Sequence, residues 1–224
     1  MAEPEFAIEP VVSAPFDQVS YVVWRRGGSE GLVVDPGFEP NGILDLLRRN
    51  DLRLAAILIT HGHADHIAGN AAIKAAFPDA PLIIGRNDAH LLTDSNANMS
   101  APFGMPLTSP PADRLVEEGE RLDLAGISFE VREIPGHSPG SVVFVCGQAR
   151  PVFVLGGDVL FSGSVGRTDL GGNGPQLFAG IRSKLFTLPD DTIVYPGHGP
   201  STTVGAEKRN NPFVGDNAGR YGVG

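Results

Sequence analysis

The chain has 224 residues, a length that buries a sizeable core in one large domain or two small ones. With 42% hydrophobic and 19% charged residues and no apolar run of membrane-span length, the composition is that of a soluble globular protein. A net charge of −9 without a basic stripe excludes nucleic acid as a first expectation, and any anionic substrate must be held by local cations.

The first residues are acidic and do not read as a signal peptide. The single cysteine, Cys146, permits no internal disulfide and suits a reducing, cytoplasmic setting. Residues 19–26 and 32–35 are short and β-branched, and with Gly27 and Gly28 between them they predict a hairpin. Residues 42–49 have helical spacing, with Asn41 as the expected N-cap. Residues 54–60 form a continuous apolar run, a buried strand that ends directly in a polar loop. An alanine-rich helix is predicted over 67–77, stopped by Pro78, followed by a strand at 82–84 and a short helix over Arg86–Leu92.

From 93 to 111 the pattern dissolves into a long loop, of the kind that is usually functional or mobile. Further strands are expected at 127–134, Val142–Cys146, 152–155 and 192–195, and a helix at 176–188. The expected domain spans 1–213, with 214–224 as a flexible glycine-rich tail. Cys146 and Tyr195 read as core residues and His90 as a surface histidine.

The densest chemistry lies at His61, Gly62, His63, Ala64, Asp65 and His66. Three imidazoles and a carboxylate at the lip of a core strand need a strong partner, and a divalent cation supplies one. In an extended loop alternate residues point the same way, so His61 and His63 suit one metal while Asp65 and His66 turn toward a second. His137 and His198 each follow a predicted strand within the form P-G-H-x-P and supply the further ligands that such a cluster requires. Asp158, at the end of an apolar run closed by Gly156 and Gly157, offers a carboxylate that can bridge two cations.

His-x-His-x-Asp-His, followed in order by a histidine, an aspartate and a last histidine, resembles the metallo-β-lactamase superfamily over nearly the whole chain. That resemblance implies an α/β fold, a four-layer αββα sandwich with its metals at one edge of the two sheets. It implies one metal on His61, His63 and His137, a second on Asp65, His66 and His198, and Asp158 between them. Residues 157–169 (GDVLFSGSVGRTD), 197–203 (GHGPSTT) and 207–213 (EKRNNPF) look like the short bacterial glyoxalase II-type hydrolases.

The expectation is therefore a hydrolase with two divalent ions, zinc first, with iron or manganese also fitting the nitrogen and oxygen ligands. Its substrate would be S-D-lactoylglutathione or a related acyl-thiol, with neither nucleic acid nor a membrane as partner. Metals lower the pKa of bound water from ~15.7 to about 7, so neither serine nor cysteine is needed as nucleophile. Asp65 would orient the attacking oxygen.

Arg167 either meets the substrate or ties down its glycine-rich loop. Lys208 and Arg209 either meet substrate carboxylates or form a solvated helix face. The competing enzyme is a persulfide dioxygenase of the same fold, with one iron on His61, His137 and Asp158. A β-lactamase fits less well, because many zinc β-lactamases carry a cysteine or histidine in place of Asp158.

Overall fold

The computed structural model describes residues 4–218. Its first half contains β1 (Phe6–Ser13), β2 (Gln18–Arg25), β3 (Glu30–Val34), α1 (Pro40–Arg49), β4 (Arg53–Ile59), α2 (Ala64–Ile67), α3 (Asn70–Ala76), β5 (Leu82–Gly85) and β6 (Arg114–Val116). The second contains β7 (Arg121–Leu124), β8 (Ile127–Glu133), β9 (Val142–Cys146), β10 (Phe153–Gly157), β11 (Leu160–Phe161), β12 (Ser164–Val165), α4 (Gly174–Gly180), β13 (Ile193–Pro196), β14 (Thr202–Thr203) and α5 (Val204–Asn210). Two six-stranded sheets result, ordered β1-β2-β3-β4-β5-β6 and β14-β13-β10-β9-β8-β7, with β11 and β12 as a small separate ribbon.

The period of two along each strand sorts the side chains into layers. Tyr21, Val23, Leu32, Leu58 and Ile83 of the first sheet meet Phe129, Val131, Phe144 and Phe153 of the second in one cluster. Their neighbours Val22, Val33, Ile57 and Ile59 face the other way, onto Ile43 and Leu47 of α1 and Ile73 of α3. Val143, Val145 and Val154 pack against Leu177, Ile181 and Val204 on the far side of the second sheet. Strands covered on both faces explain why residues 54–60 are apolar without alternation. The architecture is the expected αββα sandwich.

The hairpin of β2 and β3 forms with antiparallel register Tyr21↔Val34 to Trp24↔Gly31. The helix at 40–49 starts earlier than expected: Pro40 occupies the first turn and Glu39 the cap position, and Asn41 lies within the helix. Proline suits that first turn because its missing N–H has no intrahelical partner. The single helix expected over 67–77 is two. The first begins inside the histidine motif, and the break at Ala68 and Gly69 lets the Gly69 N–H donate to Pro36 O at 2.7 Å. The helix at 176–188 is α4, capped by the Asn173 side chain, running into a wider π turn over Ile181–Leu185. Arg86–Leu92 is a 3₁₀ helix.

Residues 93–111 are tied down rather than loose. Asn98 is fully buried, its Nδ2 donates to Leu107 O at 3.0 Å, and its own carbonyl accepts from the Ala64 N–H at 3.0 Å. Of the expected tail, residues 219–224 lie outside the described residues. Its first residue, Val214, is buried, and its carbonyl accepts from Arg182 Nε at 3.0 Å, so the packed domain continues past 213. Among the described residues no helix is long and apolar enough to cross a membrane.

Candidate metal centre

The C-terminal ends of β3, β4, β8, β10 and β13 meet at one edge of the sandwich. Parallel pairing of β3 with β4 and of β10 with β13 aims those strands the same way, and the Val142 N–H donating to Thr60 O at 2.8 Å joins the two sheets there. Just past these ends stand His61, His137, Asp158 and His198. Five of the six histidines of the chain gather at this edge; the sixth, His90, is exposed elsewhere, as expected.

Two glycines are required by this closeness. Gly157 has φ +46°, and a side chain there would strike Thr60; one at Gly197 would strike Asp158 and the His66 ring. The last loop is held by the β1–β2 hairpin. The Val19 N–H donates to Gly197 O at 2.7 Å and Tyr21 Oη to Pro196 O at 2.8 Å.

Within the motif the chain turns at His63, which is extended, and becomes helical from Ala64. Asp65 and His66 therefore leave the direction shared by His61 and His63, as the sequence predicts. Nitrogens of His61, His63 and His137 converge as one group, and Asp65, His66 and His198 form another. Asp158 stands between them. Its Oδ1 lies 3.3 Å from His66 Nε2, and its Oδ2 lies 3.5 Å from His137 Nε2 and 3.6 Å from His198 Nε2.

The outer nitrogens fix the tautomers. His137 Nδ1 faces Arg167 O at 2.8 Å and His198 Nδ1 faces Phe16 O at 3.1 Å; carbonyls only accept, so both Nδ1 atoms donate. His66 Nδ1 donates to Asp35 Oδ2 at 3.0 Å. Thr60 Oγ1 spends its proton on Asp35 at 2.6 Å, so His61 Nδ1 donates to Thr60 at 3.2 Å.

In neutral rings every inner nitrogen of these four histidines is then a bare lone pair. The Nε2 atoms of His61 and His137 face each other at 3.2 Å, and His63 Nδ1 is 2.9 Å from the latter. His66 Nε2 and Asp158 Oδ1 are buried without a hydrogen-bond partner. Acceptors aimed at acceptors in a dry site are costly unless cations lie between them. The residues present fit two divalent ions.

Electrostatics agree. Burial, with His66 and His137 nearby, pushes the His61 imidazole well below its ordinary value. Burial and His137 push His63 to about 3, so both are neutral at pH 7. At His66 burial works downward, but Asp158 and Asp65 outweigh it and raise the value well above the ordinary one. Asp158 is held far below the usual carboxylate range because His66 and the other imidazoles outweigh its burial. The carboxylates that draw a proton to His66 would also draw a cation.

Two site residues escape sequence reasoning. Asp35 directly follows β3, is buried, and uses both oxygens: Oδ1 accepts from the Thr60 N–H at 2.7 Å, Oδ2 from Thr60 Oγ1 and His66. It comes near His61 and His66, and its hydrogen bonds to Thr60 and His66 orient those ligands. Asp88 is buried and accepts from the Gly62 N–H at 3.0 Å, Ser138 Oγ at 2.7 Å and the Gly140 N–H at 2.6 Å, joining the loops of His61 and His137. The signal for Asp35 was the one used for Asp158, a carboxylate closing an apolar strand. Asp88 has no comparable signal.

A cavity of about 230 Å³ opens over the centre and is lined by His63, Asp65, His137, Asp158 and His198 together with Phe16, Phe103 and Arg167. The Arg167 guanidinium is exposed and forms a paired contact with Asp169, at 2.8 and 2.7 Å. Lys208 and Arg209 do not reach this cavity. They lie on α5, where both face Asp190, at 2.8 and 3.6 Å. Tyr195 packs edge-on against Tyr21 at 5.6 Å, and Cys146 is wholly buried between the sheets.

An αββα sandwich whose strand ends carry five inward histidines and two aspartates defines a metal-dependent hydrolase class. The Metallo-beta-lactamase superfamily pattern matches residues 14–198, and this chain belongs to that superfamily. It is 36% identical to the Hydroxyacylglutathione hydrolase GloC of Haemophilus influenzae, covering 92% of this chain and 97% of that one. It is 40% identical to the Probable metallo-hydrolase YqgX of Bacillus subtilis, over 82% and 86%. Among solved structures, BLEG-1 B3 metallo-beta-lactamase superposes with a TM-score of 0.88 at 37% identity, over 93% of this chain and 99% of that one. TTHA1623 in a di-iron-bound form gives 0.79 at 40% identity, over 92% and 99%.

Proposed function

We propose that this chain is a thioester hydrolase working with two divalent cations on S-D-lactoylglutathione or a related acyl-thiol. The observation that carries the reading is the convergence of six acceptor side chains in two groups around a seventh, Asp158. His61, His63 and His137 would hold one ion, Asp65, His66 and His198 the other, and Asp158 both. Zinc suits this ligand set, and so do iron and manganese; the solved relative with two irons supports a dinuclear state. Ions held there lower the pKa of water and polarise a carbonyl.

The protein's own part is positioning. Asp65 lines the cavity and, with an oxygen 3.2 Å from His198 Nε2, can accept a hydrogen bond from the attacking water and orient it. Asp35, Thr60 and the Phe16 and Arg167 carbonyls hold four of the five imidazoles, those of His61, His66, His137 and His198, in place for the reaction. Cys146, sealed between the sheets, is not a nucleophile. Similarity to a hydroxyacylglutathione hydrolase of Haemophilus supports a hydroxyacyl thioester, while similarity to the B3 metallo-beta-lactamase BLEG-1 favours a β-lactam as second reading.

The test is elemental analysis of protein never exposed to chelator, combined with thiol release from S-D-lactoylglutathione, β-lactam hydrolysis, and oxygen uptake on a persulfide. About two metals per chain with chelator-sensitive thiol release supports the proposal. β-Lactam turnover without thioester turnover would replace it with the second reading. One iron with oxygen uptake would replace it with the dioxygenase.

A further inference from the structure

We propose that the mouth of this site recognises an apolar arm of the substrate, so that among thioesters the chain prefers an uncharged hydrocarbon acyl group. The proposal rests on the thioester reading and narrows it. Among the described residues four large apolar side chains are exposed: Val12, Phe16, Phe103 and Met105. Three of the four, all but Val12, line the single cavity that also exposes the histidine centre. Scattered exposed apolar residues need no explanation, but their concentration at one opening does.

The wall is built and not incidental. Phe16, on the β1–β2 turn, meets Phe38 at 6.1 Å and Phe103 edge-on at 6.4 Å, so segments far apart in sequence form one aromatic surface. Its position relative to the ligands is fixed on both sides. The Phe16 carbonyl holds His198, and the segment bearing Phe103 and Met105 is anchored through Asn98 to the Ala64 N–H, beside His63 and Asp65.

Charge points the same way. Among the described residues the charged side chains of the cavity, apart from histidines, are Asp65, Asp158 and Arg167, and Asp169 already occupies the Arg167 guanidinium. Nothing in the lining, among the described residues, offers an uncommitted cation to the carboxylates of a tripeptide thiol, and the net charge of −9 opposes them.

The experiment uses the metal-loaded protein and one neutral thiol, N-acetylcysteamine, carrying acyl groups of increasing length, with S-D-lactoylglutathione for comparison. In parallel, calorimetry measures binding of the corresponding non-hydrolysable alkyl thioethers. Both kcat/KM and affinity should rise on the order of fourfold for each added methylene over the first few carbons, the ratio expected for burying a methylene. In Phe16→Ala and Phe103→Ala the gain per methylene should shrink below about twofold, with metal content retained; Met105→Gln provides a third variant at a site exposed enough to tolerate it. A flat chain-length series in the wild type, or an undiminished slope in all three variants, overturns the proposal. Thioether binding that climbs with length while no thioester is hydrolysed would support the apolar mouth and sink the thioester reading. Turnover that ignores length would do the reverse.

Discussion

Replacing Asp35 by asparagine changes a single side-chain atom beside the metal centre, yet it should move a proton from one ring nitrogen of His66 to the other. In the native site Oδ1 accepts from the Thr60 N–H, and Oδ2 accepts from Thr60 Oγ1 and from His66 Nδ1. Because the Thr60 N–H can only donate, the asparagine oxygen must take the Oδ1 place and its NH₂ must face His66. That NH₂ donates to Nδ1, which forces the His66 proton onto Nε2, the atom that faces Asp158 Oδ1 at 3.3 Å and would bind metal. Loss of such an outer partner typically costs ten- to a hundredfold in metal affinity, about 1.4–2.7 kcal/mol. The fold should suffer little, since the shape is kept, whereas Asp35→Ala leaves the buried Thr60 donors unpaired at a cost of about 1–3 kcal/mol each. Competition with a calibrated chelator gives the metal affinity and thermal unfolding gives the stability. If Asp35→Asn binds its second equivalent of metal as tightly as the wild type, the tautomer argument is wrong.

Asp158→Ala should lose metal and activity together, because its carboxylate faces both ligand groups; retention of two metals with normal turnover would remove it from the bridging position. Arg167→Ala should keep its full metal content and lower kcat/KM on an anionic thioester by only a few-fold, below the roughly tenfold or more expected for an unpaired charge-assisted contact, because Asp169 already engages the guanidinium. A larger loss confined to anionic substrates would mean that the arginine leaves Asp169 to grip the substrate. Lys208→Ala and Arg209→Ala should leave KM unchanged and move stability by no more than about 0.5 kcal/mol each, the usual effect of breaking an exposed ion pair; a raised KM for either would bring α5 into the substrate site.

The centre was legible in the sequence where chemistry is locally dense. Three histidines and an aspartate within six residues after an apolar strand have few uses other than metal, and the turn at His63 that splits them follows from their spacing. Both-face burial made β4 and β10 readable as apolar runs, and from those runs the strand-end positions of His61 and Asp158 followed, while His137 and His198 follow the strands β8 and β13. Asp35 and Asp88 carry the same side chain as any loop aspartate, so only the approach of Thr60, His66, Gly62 and Ser138 shows what each holds. For Lys208 and Arg209 the sequence leaves substrate contact and a helix face open, and only the fold brings Asp190, eighteen residues from Lys208, against both. At the break the Gly69 N–H donates to the Pro36 carbonyl, a contact from outside the helix that no local propensity records. The aromatic mouth likewise needs Phe16 and Phe103 to be brought together by the sandwich. Ligand identity is a property of side chains and is written along the chain, whereas tautomers, charge pairing and the shape of the opening are properties of contacts and exist only once the two sheets have closed.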